Sequence, residues 1–395
     1  VPGNDFGIYV HWPFCLAKCP YCDFNSHVRD AIDQDRWHRA YLTEIHAAAD
    51  RIAHLGDATS VFFGGGTPSL MDPNLVEGVL DAISDVIGIA EGAEITMEAN
   101  PTSAEAANFK SYGAAGVNRL SLGVQALDDA ALKFLGREHS VASALDALAM
   151  AQSTFDRVSF DLIYGRLGQT VGEWTDELSR ALGFGTGHLS LYQLTIEAGT
   201  MFGETYADAA PAGKDPKSGF SLVDDDMGAD LFEITQTLCD GAGLEAYEVS
   251  NHARPGQVCA HNMVYWRSGD WLGIGPGAHG RLTTPAGRLA TTQHRSPDAW
   301  LNAVESGGTG ALSETPLDGA ARLEESVLMG MRLAEGLSEA HFIQQTERSF
   351  ENAFCGVLPD LIGENFVEMT DGALRTTSKG RLVLNQIVAR LIEAS

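Results

Sequence analysis

Positive charge is what this chain has least of: 26 lysines and arginines stand against 53 aspartates and glutamates, a formal net charge of −27. A surface of that sign repels phosphate backbones and anionic headgroups, which argues against nucleic acid and acidic membranes as partners. The acidic residues form no long single-sign block, so solubility or adaptation to salt is their plain meaning. Long apolar runs are also missing. Nowhere do about 18 apolar residues follow one another, so no membrane span is expected. The opening residues lack a charged stretch ahead of an apolar one, so no secretory leader is expected. The chain starts at Val1 and not at Met, so a few residues are expected to precede it. Cysteine is scarce too: six are present, three in one tight group and three (Cys239, Cys259, Cys355) far apart. That distribution fits metal binding in a reducing cytoplasm and not a disulfide framework. With 44% hydrophobic residues over 395 positions, there is material for one large core and a smaller second domain.

What is present gathers near the start. Cys15-Leu-Ala-Lys-Cys19-Pro-Tyr-Cys22 offers three thiolates in one loop, directly after the apolar Gly7-Ile-Tyr-Val-His-Trp-Pro-Phe14. Three is one short of a closed structural zinc site and of an ordinary four-iron cluster. A cluster held by three keeps one iron open to an outside ligand, and chemistry needs that opening. Two plainer readings compete: a zinc knuckle completed by His11 or His27, and a redox pair of Cys19 and Cys22. The extra upstream cysteine and the aromatic residues Trp12, Phe14, Tyr21 and Phe24 favour an iron–sulfur cluster, whose potential depends on burial and on hydrogen bonds to sulfur.

The first 200 residues alternate apolar runs (8–11, 60–63, 94–98, 119–123, 158–163, 188–194) with helix-like segments (32–55, 73–87, 104–115, 141–155, 171–183). Such a series demands parallel strands joined by right-handed crossovers, as in a doubly wound sheet or a βα-barrel. The unusual residues favour the barrel. Cysteines follow strand one, Gly64-Gly-Gly-Thr-Pro68 follows strand two and Glu98-Ala-Asn-Pro101 ends strand three. Gln125 ends strand four and Asp161 lies late in strand five, so one face is shared, as at a barrel mouth. Six strands do not close an eight-fold barrel. The fold class expected is therefore α/β, a partial (open) βα barrel of about six parallel strands.

Further on, 207–218 reads as a surface loop, 220–241 as a helix, 244–250 as a strand and 283–293 as a hairpin. Between them runs Leu272-Gly-Ile-Gly-Pro-Gly-Ala-His-Gly280. After Gly310 a small C-terminal winged-helix-like α+β domain is expected. It has helices at 322–332 and 338–345, strands at 366–369 and 374–377 around Asp371-Gly372, and a closing helix at 377–392. The domains are thus 1–310 and 311–395. Acidity argues against DNA reading by the second, which leaves a cover or partner surface.

Alone, the glycine triplet is a tight turn; behind a strand and ahead of Thr-Pro it also suits backbone that approaches a ligand closely. Glu98 is either a solvated strand end or an acceptor for a ligand amine or ribose. Arg137 has the fork that grips a carboxylate, and Tyr21 offers a flat face. Cys259 reads as a buried thiol, and His279 as a loop residue within reach of the mouth.

Cys15-x3-Cys19-x2-Cys22 with an aromatic before the third cysteine resembles the radical S-adenosylmethionine (SAM) superfamily. Longer strings narrow the resemblance: Tyr9 to His27 around the cysteines, Phe63-Gly-Gly-Gly-Thr-Pro-Ser69, Asn118-Arg-Leu-Ser-Leu-Gly-Val-Gln125, Leu135-Gly-Arg-Glu-His139, Asp161-Leu-Ile-Tyr-Gly165 and His188-Leu-Ser-Leu-Tyr-Gln193. They resemble the oxygen-independent coproporphyrinogen III oxidase-like branch and, within it, the heme chaperone HemW family, over nearly the whole chain. The resemblance implies that Cys15, Cys19 and Cys22 hold a [4Fe–4S] cluster with SAM on its open iron. Around SAM it places Tyr9, Tyr21, Gly65, Gly66, Thr67, Glu98, Gln125, Arg137 and Asp161. It implies heme as a further ligand at His261, Asn262, Tyr265 and Trp266, within Cys259-Ala-His-Asn-Met-Val-Tyr-Trp266, and an apo-hemoprotein as acceptor. On residue chemistry alone, His261 and Asn262 would serve loop hydrogen bonds and Tyr265 and Trp266 the core. If SAM is cleaved, one electron from the cluster breaks its S–C5′ bond and yields a radical that abstracts hydrogen. Turnover stays open at this point, as do the acceptor and a homodimeric state.

Two rival activities are an oxygen-independent coproporphyrinogen III oxidase of porphyrin biosynthesis and a radical SAM transferase on another substrate. The oxidase carries a fourth cysteine two residues after the third, where this chain has Phe24, and a long N-terminal segment. The family also continues Asp-Leu-Ile-Tyr-Gly with Leu-Pro-Gly-Gln, whereas here Arg166-Leu167-Gly168 follow Gly165. Loss of that proline predicts a looser turn after strand five.

Overall fold

Strand β1 (Phe6–Trp12) buries Phe6, Ile8, Val10 and Trp12 on one side and turns Tyr9 and His11 to the other. The same period of two recurs along β2 (Ala58–Gly65), β3 (Ile89–Ala99), β4 (Arg119–Gln125), β5 (Arg157–Tyr164) and β6 (His188–Gln193). A computed structural model describes residues 5–29, 31–209 and 219–395. Each of the six strands lies parallel to its predecessor, in the order β1-β2-β3-β4-β5-β6. The order never reverses, so there is no switch point of the doubly wound kind, and the sheet curves as a barrel wall.

A seventh parallel strand, β7 (Asp270–Ile274), pairs with β1 on the other side. It enters the Gly-rich run and was missed because glycines at 273 and 275 interrupt its apolar pattern. Strands β8 (His279–Thr284), β9 (Gly287–Gln293) and β10 (Ala311–Pro316) continue antiparallel from β7, and two short strands, Asn251–Ala253 and Glu245–Ala246, from β6. Strands β6 and β7 do not pair, so the barrel is open between them. The expected hairpin is β8–β9, and β10 carries the main sheet beyond residue 310.

Helices α1 (Gln34–Ile52), α2 (Pro73–Val86), α3 (Val141–Thr154), α4 (Val171–Leu182) and α5 (Asp225–Gly241) contribute to the layer outside the sheet. Their apolar faces close one core with Ile8, Val10, Val61, Phe63, Leu120, Leu122, Phe160 and Leu162. The segment expected as one helix at 104–115 is two, Ser103–Ala106 and Phe109–Ala114. α5 starts at Asp225, where the Asp224 side chain accepts from Met227 N–H, and Phe220–Ser221 forms a short strand instead of helix. Of the loop 207–218, Ala207–Ala209 makes one 3₁₀ turn and 210–218 lie outside the described residues.

The turn after β5 is not loose. Gln169 Oε1 accepts from Gly165 N–H at 2.8 Å, and Arg166, 8% exposed, forms a paired ionic contact with Glu177. Glu177 also takes Leu127 N–H at 2.7 Å, so the arginine replaces a proline's rigidity with a buried ion pair that spans two loops.

A second core gathers Leu323, Val327, Phe342, Phe350, Phe354, Val367, Leu374, Ile387 and Leu391. Its strands Leu337–Ser338, Ala373–Thr376 and Val367–Thr370 form a three-stranded sheet against helices, which is a winged-helix-like α+β arrangement. Among the described residues no helix is long and apolar enough to cross a membrane.

Candidate functional site

The loop after β1 is stitched to the loop after β2. Gly66 N–H donates to Trp12 O at 2.7 Å and Thr67 N–H to Phe14 O at 2.8 Å. A Cβ on Gly66 would stand 2.7 Å from Phe14 O, and one on Gly65 (φ +114°) 2.6 Å from the His11 ring. These glycines are therefore needed first for contact between the two loops. Asn25 Nδ2 ties the far side of the cysteine loop to Pro276 O (2.9 Å), just past β7, and to Arg295 O (3.0 Å), just past β9.

Each thiol of the trio has its own donor from a different segment. Thr67 Oγ1 lies 3.3 Å from Cys15 Sγ, Arg137 Nη1 3.3 Å from Cys19 Sγ and Ser26 Oγ 3.8 Å from Cys22 Sγ. Burial raises the Cys15 and Cys22 thiols, and the Thr67 and Ser26 hydroxyls pull the other way. Asn100, which the sequence reading passed over, joins two of these holders: its amide donates to Thr67 Oγ1 (3.1 Å) and its carbonyl accepts from Arg137 Nη2 (2.5 Å). Its position before Pro101 at the end of β3 was the available signal.

All three cysteines line one cavity of about 400 Å³ at the C-terminal ends of the strands. Tyr21, Gly65, Gly66, Thr67, Glu98, Gln125, Arg137 and Asp161 line it too, so residues from six separate segments meet as expected. Tyr9 does not. Its phenol bonds His11 Nδ1 at 3.0 Å, and its ring stacks on Phe62 and His261 below the cavity. Gln125 takes φ +71° at a register shift between β4 and β5, strain of the kind that aims a side chain into a site.

Glu98 and Asp161 are two of the carboxyl groups that line this cavity. Burial, then the neighbouring Asp161, raises Glu98 to about 8, although Gly65 N–H donates to it at 3.2 Å. Burial raises Asp161 to about 6 against hydrogen bonds from Ser190 and Ser121. Both acids lie above their unfolded values, so their contribution to stability is full below about pH 4 and is lost as pH rises through 6 to 8. The ligand-free protein should thus unfold at lower urea at pH 8.5 than at pH 5, and Glu98→Gln should flatten that slope. A cationic ligand draws both groups into the ionised form, so its affinity should rise over the same window.

The donor set suits a cluster better than a single ion. Among the described residues no three His, Cys, Asp or Glu side chains converge closely enough for one metal ion. Both residues offered as a fourth zinc ligand have other partners: His11 bonds Asn25 O through Nε2 at 3.0 Å and Tyr9 through Nδ1, and His27 Nε2 lies 3.3 Å from Asn25 Oδ1. Three thiols spread round one cavity, each hydrogen-bonded, fit the larger cluster.

Below the cavity the inward residues are polar and linked. Ser121 Oγ donates toward Asp161 (3.4 Å), Ser159 Oγ to Ser121 Oγ (3.0 Å) and Arg119 Nη2 to Ser159 Oγ (2.9 Å). Arg119 and Arg157 flank Glu94 at 3.9 and 2.7 Å. Although burial opposes it, the two guanidiniums hold the Glu94 carboxyl below its usual value. Glu94 in turn accepts from Cys259 Sγ and from His261 N–H, each at 3.3 Å, on helix α6 (Ala260–Trp266). Cys259 is the buried thiol expected, pushed up to about 12 chiefly by burial.

Helix α6 corrects the placement of the four expected heme residues. His261 is 1% exposed, and both ring nitrogens are bonded, Nδ1 to Ser60 Oγ (2.9 Å) and Nε2 to Tyr265 Oη (2.6 Å). Burial lowers its pKa to about 3. Asn262 donates to Tyr247 Oη at 3.2 Å. Trp266 points away, under the Arg332 guanidinium at 5.3 Å, where the C-terminal lobe docks. The four do not form one pocket, because successive helical positions face different ways.

With this geometry in hand, comparison with known proteins is informative. The radical SAM superfamily profile matches residues 9–181 and the HemN C-terminal domain profile residues 317–383. The chain is 36% identical to the heme chaperone HemW of Escherichia coli over 96% of both chains. It is 38% identical to the mouse radical S-adenosyl methionine domain-containing protein 1, mitochondrial, over 98% of this chain and 87% of that one. Among solved structures, coproporphyrinogen III oxidase (HemN) from Escherichia coli shares the fold, with a TM-score of 0.78 at 21% identity over 99% and 91% of the two chains.

Proposed function

We infer the function of this chain from its family: it belongs to the radical SAM superfamily, in the HemW group, and it acts as a heme chaperone. The observation that carries this reading is identity of 36% along 96% of both chains with a protein named as a heme chaperone. It holds heme and hands it to an apo-hemoprotein. Cys15, Cys19 and Cys22 would hold the [4Fe–4S] cluster, which, with SAM on its open iron, supplies one electron for cleavage of a carbon–sulfur bond. Glu98 and Asp161 offer negative charge to SAM's cationic end. Arg137 gives N–H contacts to Cys19, Asn100 and Gly123 O and bonds Tyr21 as well, which fixes a positive charge in this wall where a carboxylate would sit. Thr67 and Tyr21 complete the wall.

The oxidase alternative is less favoured, because Phe24, 62% exposed, stands where the resemblance expects that enzyme's fourth cysteine. Six free cysteines support a reducing compartment, and we take it to be the cytoplasm. The charge of −27 supports a protein acceptor in place of nucleic acid. Anaerobic titration of the reconstituted protein with heme should give a saturable Soret band, and mixing with an apo-globin should move that band to the globin. No saturable band, or vinyl-porphyrin product from coproporphyrinogen III, would overturn the reading.

A further inference from the structure

Asn100 touches no sulfur and is no part of the ligand set that the resemblance implies, yet two of the sulfur donors meet on it. Its backbone is held from both sides. The N–H donates to Glu105 Oε2 at 2.8 Å, and the carbonyl accepts from Thr102 N–H at 2.9 Å. Pro101 behind it disfavours helical backbone at this position. Glu105 is 2% exposed and takes the Ser69 hydroxyl as well, so Asn100 hangs from a buried carboxyl. Its side chain enters the cavity wall between the turn after β2 and the arginine after β4.

The direction of each hydrogen bond matters. Asn100 Nδ2 donates to Thr67 Oγ1 at 3.1 Å, so the hydroxyl accepts there and keeps its one proton for Cys15 Sγ, 3.3 Å away. Asn100 Oδ1 accepts from Arg137 Nη2 at 2.5 Å, while Nη1 of the same guanidinium lies 3.3 Å from Cys19 Sγ. One primary amide thus aims two donors, from two different loops, at two sulfurs of the trio. A carboxylate in its place has no proton to give Thr67, and an aliphatic side chain aims neither donor.

We propose that Asn100 is a positioning residue that raises the reduction potential of the cluster, acting on Cys15 through Thr67 and on Cys19 through Arg137. The proposal rests on the reading of the three cysteines as cluster ligands. Hydrogen bonds to sulfur favour the more negative, reduced form, so donors held on target raise the potential. Hydrogen bonds in a chain polarise one another, and the amide behind each donor strengthens the last link to sulfur.

The test measures the cluster's midpoint potential without SAM, by anaerobic redox titration followed by electron paramagnetic resonance, in the reconstituted full chain and its variants. Asn100→Ala should hold iron and sulfide as the wild type does. At a fixed potential about ten-fold less of its cluster should be reduced, a shift of about 59 mV to the negative side for one electron. In a Thr67→Val background no hydroxyl is left to aim, and the same substitution should cost only about three-fold. Asn100→Asp keeps the side chain's shape and its contact with Arg137 but reverses the bond to Thr67. It should also move the potential negative, again by less in the Thr67→Val background, and it carries the measurement if the alanine variant loses iron. A wild-type potential in either variant, or equal shifts with and without the Thr67 hydroxyl, would overturn the proposal and leave the cluster assignment standing. A wild type that takes up no iron and sulfide would overturn both.

Discussion

Cys19→Ala is expected to strip the protein of its cluster: iron and acid-labile sulfide should fall from about four each per chain to near zero after anaerobic reconstitution. Two ligands cannot hold a cubane that already relies on only three. The choice of Cys19 adds a second effect, because its sulfur is the one that Arg137 touches at 3.3 Å. Without it the guanidinium keeps Asn100, Gly123 O and Tyr21 but loses its tie to the cysteine loop, so the charge in the cavity wall is held less firmly. Arg137→Lys should give a milder result. A lysine cannot reach Cys19, Asn100 and Gly123 O together, so the cluster should assemble with an altered reduction potential. Iron and sulfide analysis with the visible spectrum decides this, and wild-type iron content in Cys19→Ala would remove the trio from the site.

The second large effect is expected from Glu94→Gln, far from any cysteine. Glu94 and Arg119 are 4% and 3% exposed, so the substitution leaves a guanidinium in the barrel interior without its counter-charge. Breaking one side of a buried pair costs about 3–5 kcal/mol. The same change weakens the contacts to Cys259 Sγ and His261 N–H, which anchor α6. A lower urea midpoint at unchanged m-value is the expected readout. Replacing Glu94 with glutamine and Arg119 with methionine together should recover part of the loss, since the more deeply buried of the two guanidiniums then goes with its counter-charge and only Arg157, 25% exposed at its side chain, stays behind. A single substitution that leaves the midpoint where it was would show that solvent reaches the network.

The barrel order and the meeting of the three cysteines with the Gly65–Thr67 turn, Glu98, Gln125, Arg137 and Asp161 were legible in advance. Each is local: a strand's period of two and the special residue at its C-terminal end lie side by side in the chain. β7 was hidden because glycines at 273 and 275, needed for close packing against His279 and His11, erased its apolar signature. The turn at Arg166 was misjudged for a similar reason, since its rigidity comes from Glu177 on another element. The alternation at 94, 96 and 98, at 119 and 121, and at 159 and 161 could have exposed the polar interior, but nothing local said which of those residues would bond one another.

The amino-acid sequence by itself determined that three thiolates would surround one open-sided centre, because their spacing places them on a single short loop. It also determined on which rim of the barrel that loop would sit. Only the tertiary structure decided what α6 does. The family resemblance makes His261 an attractive iron ligand, and a ligand needs a free lone pair. Folding brings Ser60 from β2 to one nitrogen and Tyr265 to the other, so neither is left free.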